Sequence, residues 1–111
     1  MTPEAFVAVA SGLAMVKAKT AFGAVRLAVS GKTFATVGWP DANWAVIKLA
    51  ATDQTALLAQ SDALRSEPGR RGHKGVTLVR LAGVSEPIAG RVLLAAWRHA
   101  TASGESIAKT G

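Results

Sequence analysis

The apolar positions of this chain switch between two spacings, and the switches outline its elements. Phe6, Val9, Ala10 and Leu13 recur at i, i+3, i+4 and i+7, which places them on one face of a helix. Thr2 offers a capping hydroxyl ahead of it, Pro3 suits a first turn that needs no N–H, and Glu4 sets a negative charge at the positive helix end. Gly12 weakens the last turn and marks its end. From Val25 the spacing falls to two: Val25, Leu27 and Val29 share one side, Arg26, Ala28 and Ser30 the other, as in a half-buried strand. Ser30-Gly31-Lys32 makes a tight turn into a returning strand, Thr33 to Gly38. Trp39-Pro40-Asp41-Ala42-Asn43 turns the chain again, into a third strand from Trp44 to Leu49 with Ala45, Ile47 and Leu49 facing the core.

Thr52 and Asp53 then predict a short helix to about Gln60, with Ala56, Leu57 and Leu58 as its apolar positions. A glycine-rich basic stretch, Arg65 to Lys74, reads as a flexible hairpin loop leading into the strand Val76 to Leu81. Thr77, Val79 and Leu81 take one face of that strand; Val76, Leu78 and Arg80 take the other. Ser85 caps a final helix that starts at Glu86 and Pro87 and runs to about Thr101, its stripe of Ile88, Val92, Ala96 and Trp97 suited to lying across a sheet. Residues 103–111 carry no pattern and predict a flexible tail behind a domain of residues 1–102.

Strands joined by short turns must be antiparallel, so the order α-β-β-β-α-β-β-α predicts an α+β fold. The expected architecture is two layers, an antiparallel sheet of about five strands with helices on one face.

Composition narrows the function. Half of the 111 residues are apolar, so the chain can bury a core, and with no cysteine it has no disulfide and no thiolate metal site. Neither a secretory signal nor an apolar run long enough to cross a membrane is apparent, which points to a soluble, cytoplasmic protein. Thirteen Lys and Arg against seven Asp and Glu give a formal net charge of +6, favouring anionic partners.

The basic stretch concentrates this charge. Arg65, Arg70, Arg71, His73 and Lys74 lie among glycines whose exposed N–H groups suit phosphate, which makes them the candidate DNA-binding residues. The order of a P-loop is absent, because Lys74 precedes Gly75 and a strand follows. Gly69 to Gly72 matches the G-x-x-G of KH domains but lacks the flanking helices. His73 and His99 have no partner at metal-ligand spacing, and no nucleophile elbow or acid pair is present. The expectation is a protein that is no enzyme and needs no cofactor or metal. A second candidate surface is the sheet face away from the helices, where Trp44, Val46, Val76 and Leu78 join Arg26, Lys48 and Arg80. Such a face can pair two subunits, stack unpaired bases or receive an acidic protein partner.

Four patches, Phe22-Gly23, Gly31 to Ala35, the segment Pro68 to Gly72 with Gly75 to Leu81, and Ala95 to Arg98, resemble the MmcQ/YjbR family of small bacterial proteins, a likeness that spans roughly Met1 to Thr101. The resemblance implies a CyaY-like or secretion-chaperone-like fold and DNA binding, with no established enzyme activity or cofactor. The chain departs from the family pattern at Val76, where an aromatic residue is common, at Ala14, where a proline is frequent, and at Lys17 and Lys19, in a segment that is often acidic. The leading expectation is a non-specific DNA-binding module using the basic loop; the alternative is a chaperone-like or interaction homodimer using the exposed sheet face.

Overall fold

Ten elements follow one another in the computed structural model, which describes residues 1–110, with side chains to Ala102. They are α1 (Pro3–Ser11), β1 (Val16–Ala21), β2 (Ala24–Val29), β3 (Lys32–Val37), β4 (Trp44–Lys48), α2 (Ala51–Leu58), β5 (Leu64–Ser66), α3 (Arg70–His73), β6 (Val76–Arg80) and α4 (Glu86–Thr110). The fold is α+β, with one antiparallel sheet in the order β1-β2-β3-β4-β6-β5.

The sheet has six strands because β1 joins its edge. Lys17, Ala18, Lys19 and Thr20 are all exposed, so this strand has no apolar face and leaves no period-two signal in the sequence. Its lysines also suit an edge, where charge discourages pairing with a second chain. At the opposite edge, β5 has only three residues.

The helix layer forms largely where the sequence places it. Thr2 Oγ1 accepts a hydrogen bond from the Ala5 N–H at 3.0 Å, and α1 buries Phe6 and Ala10. The second helix differs: it begins after Ala50, with no side-chain cap, so Thr52 lies inside it, and it buries Gln54 and Leu57. Ser85 Oγ accepts from the Ile88 N–H at 3.4 Å at the start of α4, whose backbone continues as helix beyond Thr101 to Thr110. Of the expected flexible tail, Gly111 and the side chains from 103 onward lie outside the described residues.

Register explains the core. Leu27 pairs with Ala35 and Ala35 with Ile47, while Val37 pairs with Ala45 and Ala45 with Val79, so these residues share the face under α1 and α4. Between Leu27 and Ala28 the pairing shifts from Ala35 to Thr33, leaving Phe34 as the extra residue of a bulge. The bulge turns Phe34 into the core. Burying each such side chain contributes roughly 1.5–3 kcal/mol. Among the described residues, α1, α2 and α4 all contribute to this one core, and the opposite sheet face carries no helix layer.

Candidate functional site

The open face is a ladder that can be followed across the whole sheet. Lys19 pairs with Arg26, Arg26 with Thr36, Thr36 with Val46, Val46 with Leu78, and Leu78 with Arg65. Paired residues of antiparallel strands project to the same side, so this rung has cations at both ends and an apolar middle. Neighbouring pairs add Lys17 with Ala28, Trp44 with Arg80 and Lys48 with Val76. The Arg65 guanidinium sits 6.0 Å from the centroid of the Trp44 ring, within cation–π range.

The basic stretch is folded rather than a loose hairpin tip. Arg70 to His73 form the single turn α3; Gly69 enters it at φ +89° with open space around it, while Gly72 and Gly75 are there for close approach. A Cβ on Gly72 would lie 1.8 Å from the Glu67 carbonyl oxygen, and one on Gly75 would lie 1.9 Å from that of Leu49. Gly75 also has φ +99°, a backbone conformation that disfavours any side chain. Gln54, 7 % exposed, fastens the segment from α2. Its Nε2 donates towards the carbonyl oxygens of Gly72 at 3.0 Å and Val76 at 3.2 Å and towards Thr77 Oγ1 at 3.1 Å. Two amide hydrogens thus serve three acceptors, and Thr77 Oγ1 passes its own hydrogen to the Gly75 carbonyl at 3.1 Å.

This folding sorts the candidate residues. Arg71 reaches over the open face and pairs with Glu67 at 3.4 Å, an exposed i, i+4 contact of modest strength. Arg65 belongs to the face through β5. Arg70, His73 and Lys74 are exposed but stand away from the recesses that Arg71 lines. Arg26, Trp44, Val46, Lys48, Leu78 and Arg80 lie on the open side as the alternation requires. Val76 differs from these: it points to that side and lines a recess with Arg71 and Lys48, but it is only 6 % exposed. It therefore offers little contact surface.

Three shallow recesses, of about 220, 200 and 330 Å³, share Val46 as a common wall. Arg71 lines the first two and Trp39 the first and third, so they form one track rather than separate pockets. Phe22 and Arg26 complete the first recess. A larger recess, about 390 Å³, lies elsewhere, between α1 and the ends of β2 and β3. Glu4 is its one titratable residue, so it lacks the convergent polar groups that would orient a ligand.

Phe22 and Trp39 are residues that hydrophobic periodicity does not single out as a site. Both sit in turns, and both are exposed aromatics, Phe22 fully and Trp39 by 58 %. Phe22 and Gly23 link β1 to β2 with φ of 53° and 79°, the two positive values of a type I′ turn, where Asn-Gly is favoured. A phenylalanine in that conformation is strained by roughly 1 kcal/mol or more. Gly23, directly ahead of the alternating run that starts at Ala24, is the sequence signal that could have marked this turn.

Among the described residues, no helix is long and apolar enough to cross a membrane, and no group of three or more His, Cys, Asp or Glu is placed to hold a metal ion. Compared with protein-family models, with curated proteins and with solved structures, the chain matches none.

Proposed function

We propose that this protein is a small, non-enzymatic nucleic-acid-binding module of the cytoplasm, and that the open sheet face with Arg71 is its contact surface. The observation that carries this reading is the segregation of charge. Lys17, Lys19, Arg26, Lys48, Arg65 and Arg80 project by register to one side of the sheet, while Glu4, Asp53 and Glu86 sit in the first turns of helices in the other layer. Glu67 is the carboxylate that lines this side, in the third recess and paired with Arg71, so the cations outnumber it and the surface attracts a polyanion and gains from release of its counterions. The resemblance of Pro68 to Leu81 to the MmcQ/YjbR family supports the same reading.

The half-buried Val46 and Leu78, beside Trp44, support a second reading, a homodimer or a chaperone-like contact with an acidic protein through the same face. Face-to-face pairing of two copies opposes like charges, which disfavours the homodimer. Titrating a labelled duplex and a labelled single strand at several salt concentrations tests the proposal. Log affinity should fall linearly with log salt, by about 0.9 per phosphate contact on duplex and about 0.7 on a single strand. Absent or salt-insensitive binding, together with a doubled mass in light scattering, would favour the dimer.

A further inference from the structure

We infer that the ligand of the open face is a single strand, with unpaired bases stacking on Phe22 and Trp39 and phosphates passing Arg26 and Arg71. The inference rests on the nucleic-acid reading above and names the form of nucleic acid.

Phe22 is the first observation. It occupies a left-handed turn position at φ 53° that suits asparagine, and its ring is fully exposed. A fold gains nothing from placing an aromatic side chain there, since the ring buries no surface and the backbone is strained. An outlier of this kind is a reason to look for a function at the residue. Trp39 is the second observation, exposed by 58 % in a separate turn. The two aromatics line the same recess of about 220 Å³, and Arg26 and Arg71 line it with them.

Aromatic faces interleaved with guanidinium groups match the chemistry of an unpaired nucleotide, whose base has a π face and whose phosphate is an anion. In a duplex the base faces are occupied by their neighbours, so exposed rings on a shallow surface have nothing to stack on. The recess is one part of a track, continuing past Trp39 to Pro40, Glu67, Pro68 and Leu78 and past Arg71 to Thr33 and Lys48; Glu67, the carboxylate on it, is paired with Arg71. An open track fits a chain of nucleotides better than a single small molecule, which an enclosed cavity would surround.

The test compares a single-stranded oligonucleotide, its duplex and an abasic strand of the same length, each titrated against wild type, Phe22→Asn and Trp39→Ala. Each substitution should weaken single-strand binding by about 5- to 150-fold, the range expected for loss of one stacked base. The salt slope should stay as in wild type, because no cation is removed. Binding of the duplex and of the abasic strand should be nearly unaffected. Phe22→Asn should also raise the melting temperature, since asparagine relieves the turn; a residue that served only the fold would not lose binding while gaining stability. Comparing deoxyribose and ribose strands then separates DNA from RNA as the source of the bases.

Unchanged single-strand affinity in both folded variants, with salt-dependent binding of all three oligonucleotides retained, would overturn the stacking inference and leave the nucleic-acid reading standing. Absence of salt-dependent binding to any of the three would overturn both.

Discussion

On β4, Ala45 and Ile47 are buried against the helix layer, while Trp44, Val46 and Lys48, one residue out of step, look out from the face that carries no helix layer. The same contrast runs along β2, where Leu27 is buried and Arg26 is exposed. One backbone thus holds a dry apolar face and a wet basic face at a separation of one residue, because successive side chains of a strand point to opposite sides. Stability and ligand contact can therefore be altered independently, by choosing which residue of a pair to replace. The region that joins the two faces is the connection from Glu67 to Gly75, where buried hydrogen bonds from Gln54 hold the turn from which Arg71 reaches out.

The largest expected effect comes from the dry face. Ile47→Ala removes a fully buried side chain from the middle of the core and should cost about 2–5 kcal/mol, measured by urea unfolding. Val46→Ala, its neighbour on the half-buried open side, should cost less than about 1.5 kcal/mol, since each buried methylene contributes roughly 0.8. Similar losses for the two would mean that the faces are not distinct, as would follow if an unseen partner covered the open side.

The joining region comes next. Gln54→Ala removes the donor shared by the Gly72 and Val76 carbonyls and Thr77 Oγ1. The two carbonyls keep the Gly75 and Glu67 N–H groups, so the cost is that of the lost hydrogen bonds, about 1–3 kcal/mol for two amide hydrogens at roughly 0.5–1.5 each. Gly72→Ala brings a Cβ into the Glu67 carbonyl and should cost a similar amount, as overpacking usually costs about 1–3 kcal/mol. Amide exchange in the Glu67 to Gly75 segment would show whether the damage is local. In both variants exchange should quicken there while β2, β3 and β4 stay protected. Uniform loss of protection would place this connection in the same cooperative unit as the core.

These differences also explain what could be read from the sequence. Strand β2 is legible because it buries one face and alternates, whereas β4 and β6, apolar on both sides, are legible as short strand-forming runs bounded by turn residues. The helices α1 and α4 are legible from their start signals, Thr2-Pro3-Glu4 and Ser85-Glu86-Pro87. Strand β1 is hidden, since Lys17, Ala18, Lys19 and Thr20 bury nothing. The glycines of the basic stretch are visible, but their purpose is not. Flexibility and close packing use the same residue, and the carbonyls of Glu67 and Leu49 that decide between them are met only in three dimensions. Gln54 is hidden for a related reason, because its acceptors Gly72, Val76 and Thr77 lie 18, 22 and 23 residues away. The candidate cations are visible as a group, yet only the folded chain separates Arg71 from Arg70 and Lys74.

That separation yields the prediction with the smallest effect on stability and the most direct bearing on the open face. Arg26, Arg65 and Arg71 lie on or over the face, whereas Arg70 and Lys74 are exposed but line none of its three recesses. If phosphates follow the track, replacing Arg26, Arg65 and Arg71 with alanine should reduce the magnitude of the salt slope on a single strand by about 2.1, at roughly 0.7 per contact. Arg70→Ala with Lys74→Ala should change the slope far less, although it removes two charges from the same stretch of sequence. Unfolding should register each single substitution only weakly, at about 0.5 kcal/mol or less for an exposed side chain. Arg65 and Arg71 are the ones to watch, since the former also rests on Trp44 and the latter pairs with Glu67. Equal slope losses from the two sets of variants would mean that the ligand responds to total charge rather than to the track. A larger loss from Arg70 and Lys74 would return the contact surface to the exposed cations of the Arg70 to Lys74 segment and leave the open face without this role.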